Sequence, residues 1–444
     1  MPRSVLTATA PRERLVRRAA RALRSGSGVV RVEVPWPEAP EPLAWLAAQT
    51  DAETAYWHGR DDGLCRAALG VAHEISGEDV TARLADAAAA LPEGSAYLGG
   101  LRFDGAMDPA REWAGFGEGR FVLPRIELVT HGGETTLALH ALPGHDTAES
   151  LRQSLADVRM DGTALGGSLD FPVARVDRPD RDGWHSAVTD ALAAMERGEM
   201  EKVVLARRAT YRFEEPLDPA ALLARLTEAA PRAFHVLLSD GAGRRFLAAT
   251  PERLVRVDAE AAWTEAVAGT RRRGDGPDAR FFHDELAESE KDRREHAFVR
   301  DFISEALAPL TSVICVEPPV QIEAARVRHL KTPVRATLRE GVTPLEVMTA
   351  LHPTPAVGGT PTPAALGAIR QLEGFDRGLY AGPVGWVSRD AAEFAVGIRS
   401  GLLCGADLAL YAGAGIVPGS VPEAEWHETE AKLGGFADAL GLEG

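Results

Sequence analysis

Two residues of the sequence could move protons. Lys202 opens an apolar, strand-like run, Lys202–Arg207, and Glu252 follows directly after Pro251. A lysine at a strand end usually keeps its amine in water, whereas a buried lysine has a lowered pKa and can act as a general base. A carboxylate after proline often starts a helix, but if it loses solvent its pKa rises and it can donate a proton. The sequence alone leaves both alternatives open.

Three further carboxylates could hold a metal ion. Glu425 and Glu428 are three positions apart on a predicted helix, with Lys432 four residues beyond, so all three share one face. A solvated face with an ordinary Glu–Lys pair is the commoner arrangement, and a Mg²⁺ site is the alternative. Glu295 poses the same choice within a charged run on another predicted helix. Its neighbour His296 lacks the spacing of a zinc motif.

Glycine and arginine could bind anions in three places. The stretch Gly413–Gly419 is no dinucleotide fingerprint, because Pro418 intrudes and the strand and helix context is wrong. It favours a tight turn over exposed amides that hold a carboxylate. The basic loop Gly269–Gly274 could be a solvated turn or an anion site. Arg399 could reach water from a strand end or clamp a carboxylate with two hydrogen bonds.

Composition limits the class of protein. The chain has 444 residues, of which 45% are hydrophobic, and a net charge of −16. Length suggests two or three domains, and the acidic balance argues against nucleic acid and anionic membranes as partners. Three separated cysteines indicate a reducing cytoplasm, and no apolar run reaches membrane length. The arginine-rich segment Arg12–Arg24 predicts a surface helix rather than a transit peptide.

The elements that must position these residues alternate irregularly between strands and helices, which predicts a mixed α+β architecture. The polar stretch Val176–Arg181 is the best internal boundary. Predicted strands are Val29–Val34, Tyr97–Phe103, Phe121–Val129, Thr135–Leu142, Phe234–Leu238, Arg245–Ala248, Leu379–Trp386, Phe394–Ile398 and Leu408–Ala412. Predicted helices are Asp182–Arg197, Asp284–Leu307 and Pro422–Leu440.

Seven motifs in one order resemble the chorismate-utilising enzymes, which include isochorismate, salicylate, anthranilate and aminodeoxychorismate synthases. The motifs are Lys202–Arg207, Thr250–Leu254, Ala268–Arg271, Glu290–His296, Leu351–Gly359, Ile398–Ser400 and Ala412–Thr429. The similarity covers about residues 184–440. Tyr97–Asp104 and Arg120–Arg125 look like isochorismate synthases of the menaquinone and siderophore branches.

The resemblance implies one integrated α+β domain, in which two large antiparallel sheets pack face to face with helices outside. Residues 1–180 would form a β-rich part of the core and residues 181–444 the chorismate-binding region. It further implies that Lys202 activates water, that Glu252 protonates the departing hydroxyl and that Mg²⁺ organises the site. The implied Mg²⁺ ligands are Glu295 and Glu428, with Glu425 in support. The implied substrate-binding residues are Gly269, Thr270, Ala356, Val357, Arg399, Gly413, Gly415 and Lys432.

The resemblance also indicates the branch. Relatives that add ammonia carry glutamine at the position of Lys202, so lysine implies water as nucleophile and no glutaminase partner. The segment Pro355–Pro361 is similar to isochorismate synthases, although Ala356 and Val357 leave pyruvate elimination, as in a salicylate synthase, open. Arg272 departs from the proline of many relatives. A non-catalytic relative is the alternative from another class. We expect a cytoplasmic monomer, whose product could feed menaquinone, siderophore or salicylate formation.

Overall fold

The fold is built almost entirely from antiparallel strands with helices on the outside. A computed structural model describes residues 3–24, 28–49, 53–166, 170–272, 289–324 and 327–442. Its α-helices, α1 to α10 in chain order, are Arg3–Ala22, Pro42–Ala47, Val80–Ala89, Ala148–Ala156, Arg181–Glu196, Pro219–Ala229, Glu290–Leu307, Pro344–Leu351, Thr362–Leu372 and Pro422–Leu440. Short 3₁₀ turns occupy Arg111–Trp113 and Ala308–Leu310.

The strands described are numbered β1 to β20. In chain order they are Val30–Pro35, Thr54–His58, Cys65–Ser76, Tyr97–Leu101, Gly119–His131, Glu134–Ala141, Ala174–Arg178, Lys202–Arg212, Phe234–Ser239, Arg244–Thr250, Arg253–Asp258, Ala261–Arg272, Thr311–Val316, Val320–Ala324, Val327–Leu338, Gly359–Thr360, Pro383–Val387, Ala391–Val396, Ser400–Cys404 and Asp407–Ile416.

Two branches of strands meet at β5. One branch continues from β5 through β3, β2, β9, β10, β19, β20 and β8, and the other through β4, β17, β18, β11, β12 and β15. All of these pairings are antiparallel. Strands from the first and second parts of the chain are therefore neighbours, since β2 pairs with β9 and β4 pairs with β17.

The main core lies between the two branches. Phe121 of β5 contacts Phe394 of β18 edge to face, with ring centroids 6.2 Å apart, and both belong to one buried cluster that also contains Phe246. A second cluster lies on the outer face of the first branch, beneath α1, α2, α4, α6 and α10. Each sheet thus buries apolar side chains, which gives the two-sheet α+β architecture that the resemblance implied.

The amphipathic elements predicted from sequence are largely present. Within α1, Leu15, Val16 and Ala19 are buried as the pattern of the arginine-rich segment required. The predicted strand Leu379–Trp386 is wrong in its first half, because residues 379–382 form a turn and β17 begins at Pro383. The first residues of the predicted boundary Val176–Arg181 belong to β7, which pairs with β8.

The long helix predicted from Asp284 begins at Glu290 within the described residues, and its first positions lie outside them. None of the described helices combines the length and apolar character needed to cross a membrane.

Candidate active site

Lys202 lies at the first position of β8 and is 1% exposed. The short strand Gly359–Thr360 pairs with Val203 and Lys202, and the Val204 amide donates to the Gly358 carbonyl at 2.9 Å. Gly359 has φ +141°, and a Cβ atom there would stand 2.2 Å from the Lys202 carbonyl oxygen. Only glycine allows this approach, so the 358–360 segment fixes the backbone that carries the buried lysine.

Glu252 lies in the tight connection between β10 and β11, and it does not begin a helix as the commoner interpretation of the sequence suggested. Its amide donates to Thr250 Oγ1 at 3.3 Å, and its carbonyl accepts from the Val396 amide at 3.0 Å. The carboxyl is surrounded by protein atoms, although part of the residue's surface stays accessible. This arrangement suits an acid that must meet a substrate yet lose most of its water.

The electrostatic environment of Glu252 favours the protonated carboxyl. Burial, followed by the negative charge of Glu265, raises the pKa of Glu252 from an ordinary 4.5 to about 7. The positive charges of Lys202, Lys432 and Arg60 act in the opposite direction. Glu252 and Lys202 therefore lie within electrostatic reach of each other, and the carboxyl can donate a proton near neutral pH.

Gly413 and Gly415 lie within β20, so the tight turn favoured from sequence is wrong for residues 413–416 and occurs instead at Val417–Ser420. Lys432 Nζ donates to the Gly413 carbonyl at 2.8 Å. Because hydrogen-bonding sides alternate along a strand, Gly415 presents its backbone to the same edge. Among the described strands, β19 pairs with that edge of β20 only as far as Tyr411. The amides beyond it are placed to meet a ligand.

Arg399 and Lys432 approach each other beside this edge. Arg399 Nη1 donates to the Lys432 carbonyl at 3.2 Å, and Lys432 Nζ also bonds Glu428 Oε1 at 2.8 Å. Burial lowers the pKa of the Arg399 guanidinium, while Tyr380 and Glu428 oppose that effect. An arginine remains charged even so, and the two cations form a positive region suited to a carboxylate.

Two of the three predicted metal ligands lie on successive turns of one helix. Glu425 is 7% exposed in the first turn of α10, and Glu428 lies one turn later on the same face. Oxygen donors of this number fit a hard cation that keeps water or substrate oxygens as its other ligands. Glu295 belongs to α7, and its side chain lies outside the described residues. No three potential metal-ligating side chains converge among the described residues, so Glu425 and Glu428 can supply only part of the ligands of a metal ion.

The remaining predicted residues lie on two segments. The carbonyl of Val357 accepts from Arg377 Nη1 at 3.0 Å, and Arg377 Nη2 reaches the Val204 carbonyl at 2.7 Å, which ties the Ala356–Val357 loop to β8. Gly269 stands at an irregularity of the β12–β15 ladder, and Thr270 pairs with His329. Beyond residue 272, the predicted basic loop lies outside the described residues.

Sequence reasoning missed Tyr380. Burial raises the pKa of its hydroxyl to about 12, with Arg399 and Glu252 among the charges that act on it. The ring stacks on Tyr411 at 5.3 Å, and a Cβ atom on Gly413 would lie 2.9 Å from the Tyr380 hydroxyl. The apolar pattern predicts strand at Tyr380, whereas the structure has a turn there, and a strand prediction gives no indication of a site residue. A tyrosine beside Gly378 and Gly382 was the available signal.

Sequence reasoning also missed Arg60 and Glu265. Glu265 is 6% exposed on β12, and Arg60 comes from the loop between β2 and β3. Their side chains form an ion pair with Nη1–Oε1 at 2.7 Å beside the Glu252 connection. A carboxylate in an otherwise apolar strand was the signal for Glu265. Nothing in the sequence indicated its partner, 205 positions away.

The chain is similar to known proteins in sequence and in structure. The chain is 35% identical over 430 residues to the salicylate biosynthesis isochorismate synthase of Pseudomonas aeruginosa, covering 90% of this chain and 88% of that protein. Isochorismate synthase 2, chloroplastic, of Arabidopsis thaliana is 35% identical over 77% of this chain, which spans 63% of that longer protein. The structure of MenF, the menaquinone-specific isochorismate synthase of Escherichia coli, matches with a TM-score of 0.86 at 30% identity, covering 97% of this chain and 99% of that one.

A family model described as chorismate binding enzyme matches residues 15–441. The match spans both branches of the sheet and every element that contributes to the site. This chain belongs to the family of chorismate-binding enzymes.

Proposed function

We propose that this protein is an isochorismate synthase, which adds water at C2 of chorismate and releases the C4 hydroxyl. The observation that carries the proposal is a buried amine, Lys202, whose charge acts on Glu252, a carboxyl whose pKa burial raises to about 7. A base and an acid are both needed, because the reaction adds one hydroxyl while it removes another. The names of the related proteins support the same substrate and product.

In the proposed mechanism, Lys202 accepts a proton from the water that attacks C2. The ring double bonds shift from C1–C2 and C5–C6 to C1–C6 and C4–C5 as the C4–oxygen bond breaks. Glu252 gives its proton to the departing hydroxyl, which leaves as water. One water enters and one leaves, so substrate and product have the same mass. Proton exchange with solvent returns both side chains to their starting states.

The substrate carries two carboxylates, and the site offers several groups for them. We assign the enolpyruvyl carboxylate to Arg399, with Lys432 as a further charge and the amides of Gly413 and Gly415 as hydrogen-bond donors. Gly269 and Thr270 would add contacts on the opposite strand β12. Ala356 and Val357 would form the wall of the site beside Lys202. Arg377 joins their loop to β8 by hydrogen bonds to the carbonyls of Val357 and Val204.

Enzymes of this family are generally metal-dependent. We propose Mg²⁺ as the metal, held by Glu295 and Glu428 with Glu425 in support. A bound Mg²⁺ would supply positive charge for the ring carboxylate and limit its orientation. Glu428 already contacts Lys432, so the proposed metal ligands adjoin the proposed substrate cations.

The direct test is incubation of the purified protein with chorismate and Mg²⁺, with separation and mass detection of the products. We expect an isomer of unchanged mass, its loss with a chelator, and its recovery with added Mg²⁺. Lys202→Ala should retain the fold and lose turnover. Salicylate with pyruvate would assign the protein to the salicylate synthase branch instead. The absence of any turnover would favour a non-catalytic relative.

We also propose that residues 1–180 and 181–444 fold as one unit and act as a cytoplasmic monomer without a glutaminase subunit. The pairing of β2 with β9 supports a single unit. Water as nucleophile removes the need for an ammonia source. Exposed free cysteines, Cys315 and Cys404, suit a reducing compartment. Light scattering of the purified protein tests the monomer, and separate expression of the two parts tests the single unit.

A further inference from the structure

One ion pair holds both peptide bonds that flank Glu252. Arg60 Nη1 donates to the carbonyl of Pro251, which belongs to the peptide bond before Glu252. Glu265 Oε1 accepts from the amide of Arg253, which belongs to the peptide bond after it, at 3.3 Å. Arg60 and Glu265 are joined twice, Nη1–Oε1 at 2.7 Å and Nη2–Oε2 at 3.1 Å. The pair therefore spans the Glu252 connection from one side to the other.

The other backbone groups of Glu252 are held as well. Its amide bonds Thr250 Oγ1 and its carbonyl bonds the Val396 amide. The connection consequently has little freedom to rotate about Glu252, because each neighbouring peptide group has a fixed partner. Positioning of this kind matters for proton transfer, which requires the acid within hydrogen-bond reach of the leaving oxygen.

The pair is itself buried and supported. The side chain of Arg60 is 11% exposed and that of Glu265 is 4% exposed. Lys331 of β15 forms a second ion pair with Glu265, and the Arg60 guanidinium lies 5.1 Å from the centre of the Phe234 ring. Asp61 also contacts Arg60. Bidentate Arg–carboxylate geometry in such a site restricts both side chains.

We propose that Arg60 and Glu265 form a positioning pair for Glu252, one that holds the acid in place and balances the charge around it. The proposal rests on the role of Glu252 as the proton donor. The two members have opposite effects on the pKa of Glu252. The negative charge of Glu265 raises that pKa, and the positive charge of Arg60 lowers it. Within the part of the chain that the structure describes, the charged or titratable groups found to act on Glu252 are Lys202 of β8, Lys432 of α10, Glu265 of β12, Arg60 of the β2–β3 loop and Tyr380 of the turn before β17.

Opposite charges predict opposite effects on the pH dependence of activity. Glu265→Gln removes a negative charge and leaves two cations unbalanced, so Glu252 should lose its proton at lower pH. Arg60→Gln should have the reverse effect. In a plot of kcat against pH, the alkaline limb is the high-pH region in which kcat falls as Glu252 loses its proton. We expect this limb to move by on the order of one pH unit, to lower pH for Glu265→Gln and to higher pH for Arg60→Gln. Both variants should also have a lower plateau kcat, because the clamp on the flanking peptides is lost.

Two further variants separate charge from position. Arg60→Lys keeps the charge but lacks the two-pronged geometry, so its limb should stay near that of the wild type while kcat falls. The double variant Arg60→Gln/Glu265→Gln removes one charge of each sign, so the two effects on the pKa of Glu252 oppose each other, while the charge of Lys331 is present as in the wild type. It should also keep the limb near the wild-type position with a reduced kcat, and it serves as the test if a single variant does not fold.

A matched control lies elsewhere in the core. Glu127 is a buried carboxylate between Arg31 and Arg66, with Nη1–oxygen distances of 3.1 and 2.8 Å, and it is not among the charges that chiefly set the pKa of Glu252. Glu127→Gln should lower thermal stability without moving the limb. Three results would overturn the proposal. The alkaline limb could move as far in Glu127→Gln as in the single variants, it could move in the same direction in both single variants, or kcat could be unchanged in the double variant.

A readout without turnover separates this inference from the proposed function. The carboxyl of Glu252 is titrated by NMR in protein labelled at glutamate, with assignment from Glu252→Gln. The two single variants should shift its titration in opposite directions whether or not chorismate is converted. Absence of turnover with opposite titration shifts would refute the proposed function and retain the electrostatic part of this inference. Turnover of chorismate with no shift of the Glu252 titration in either variant would support the proposed function and refute this inference.

Discussion

Replacing Glu252 with glutamine should abolish activity and yet stabilise the protein at alkaline pH. Burial raises the pKa of Glu252 from 4.5 to about 7, so the folded protein holds this proton more tightly than the unfolded chain. As pH rises between these values the unfolded chain releases the proton first, and stability falls. Above the folded pKa the loss is complete. The amide of Glu252→Gln is never charged, and it escapes this penalty.

The size of the effect follows from the two pKa values. A difference between 4.5 and about 7 corresponds to about 3 kcal/mol, at about 1.4 kcal/mol per pH unit. Because part of the residue stays accessible to solvent, we expect about 2 kcal/mol at pH 8. That is about 2 °C in Tm for a chain of this size. At pH 5 the variant and the wild type should differ little.

The assay is thermal unfolding of both proteins at pH 5 and pH 8, with chorismate turnover measured in parallel. Glu265→Gln is the matched control. Burial alone would raise the pKa of Glu265, but Arg60 and Lys331 outweigh burial and hold that pKa below its usual value. The control should therefore be destabilised at pH 8 rather than stabilised. Equal Tm differences between Glu252→Gln and wild type at both pH values would refute the reasoning.

Two other predictions concern the substrate and metal positions. Gly413→Ala would place its Cβ 2.9 Å from the Tyr380 hydroxyl and 3.1 Å from the Leu205 carbonyl oxygen, so kcat/KM should fall at least about tenfold and Tm should drop. Steady-state kinetics measures this against Gly367→Ala, a position in α9 where an added Cβ would meet open space. Glu428→Gln should raise the Mg²⁺ concentration needed for half-maximal activity by about tenfold or more, because one anionic ligand is lost. A Mg²⁺ titration of activity tests this, and Glu423→Gln on the same helix should leave the half-maximal concentration unchanged.

The motifs of the site could be predicted because their residue types and order are local properties of the chain. Lys202 was correctly placed at the start of a strand, and Glu425 and Glu428 were correctly placed on one helix face. The burial of Lys202 could not be predicted in the same way. It depends on Gly358 and Gly359, which are distant in sequence and pack directly onto its backbone.

Local patterns failed where backbone conformation depends on neighbours. Glycine-rich residues 413–416 read as a turn, but pairing with β8 makes them strand. The apolar residues from Leu379 read as strand, although Leu379 and Tyr380 enter the core from a turn. In both cases burial against another segment, rather than intrinsic propensity, determined the conformation.

The sequence by itself determined the class of fold, the family resemblance and the types of residue available for proton transfer and metal binding. The tertiary structure alone decided which of them meet. Glu252 becomes an acid with a pKa near neutrality because a loop from the first part of the chain and two strands of the second remove its water and surround it with fixed charges. Solvation and distance between remote residues set that pKa, and neither is a property of local sequence.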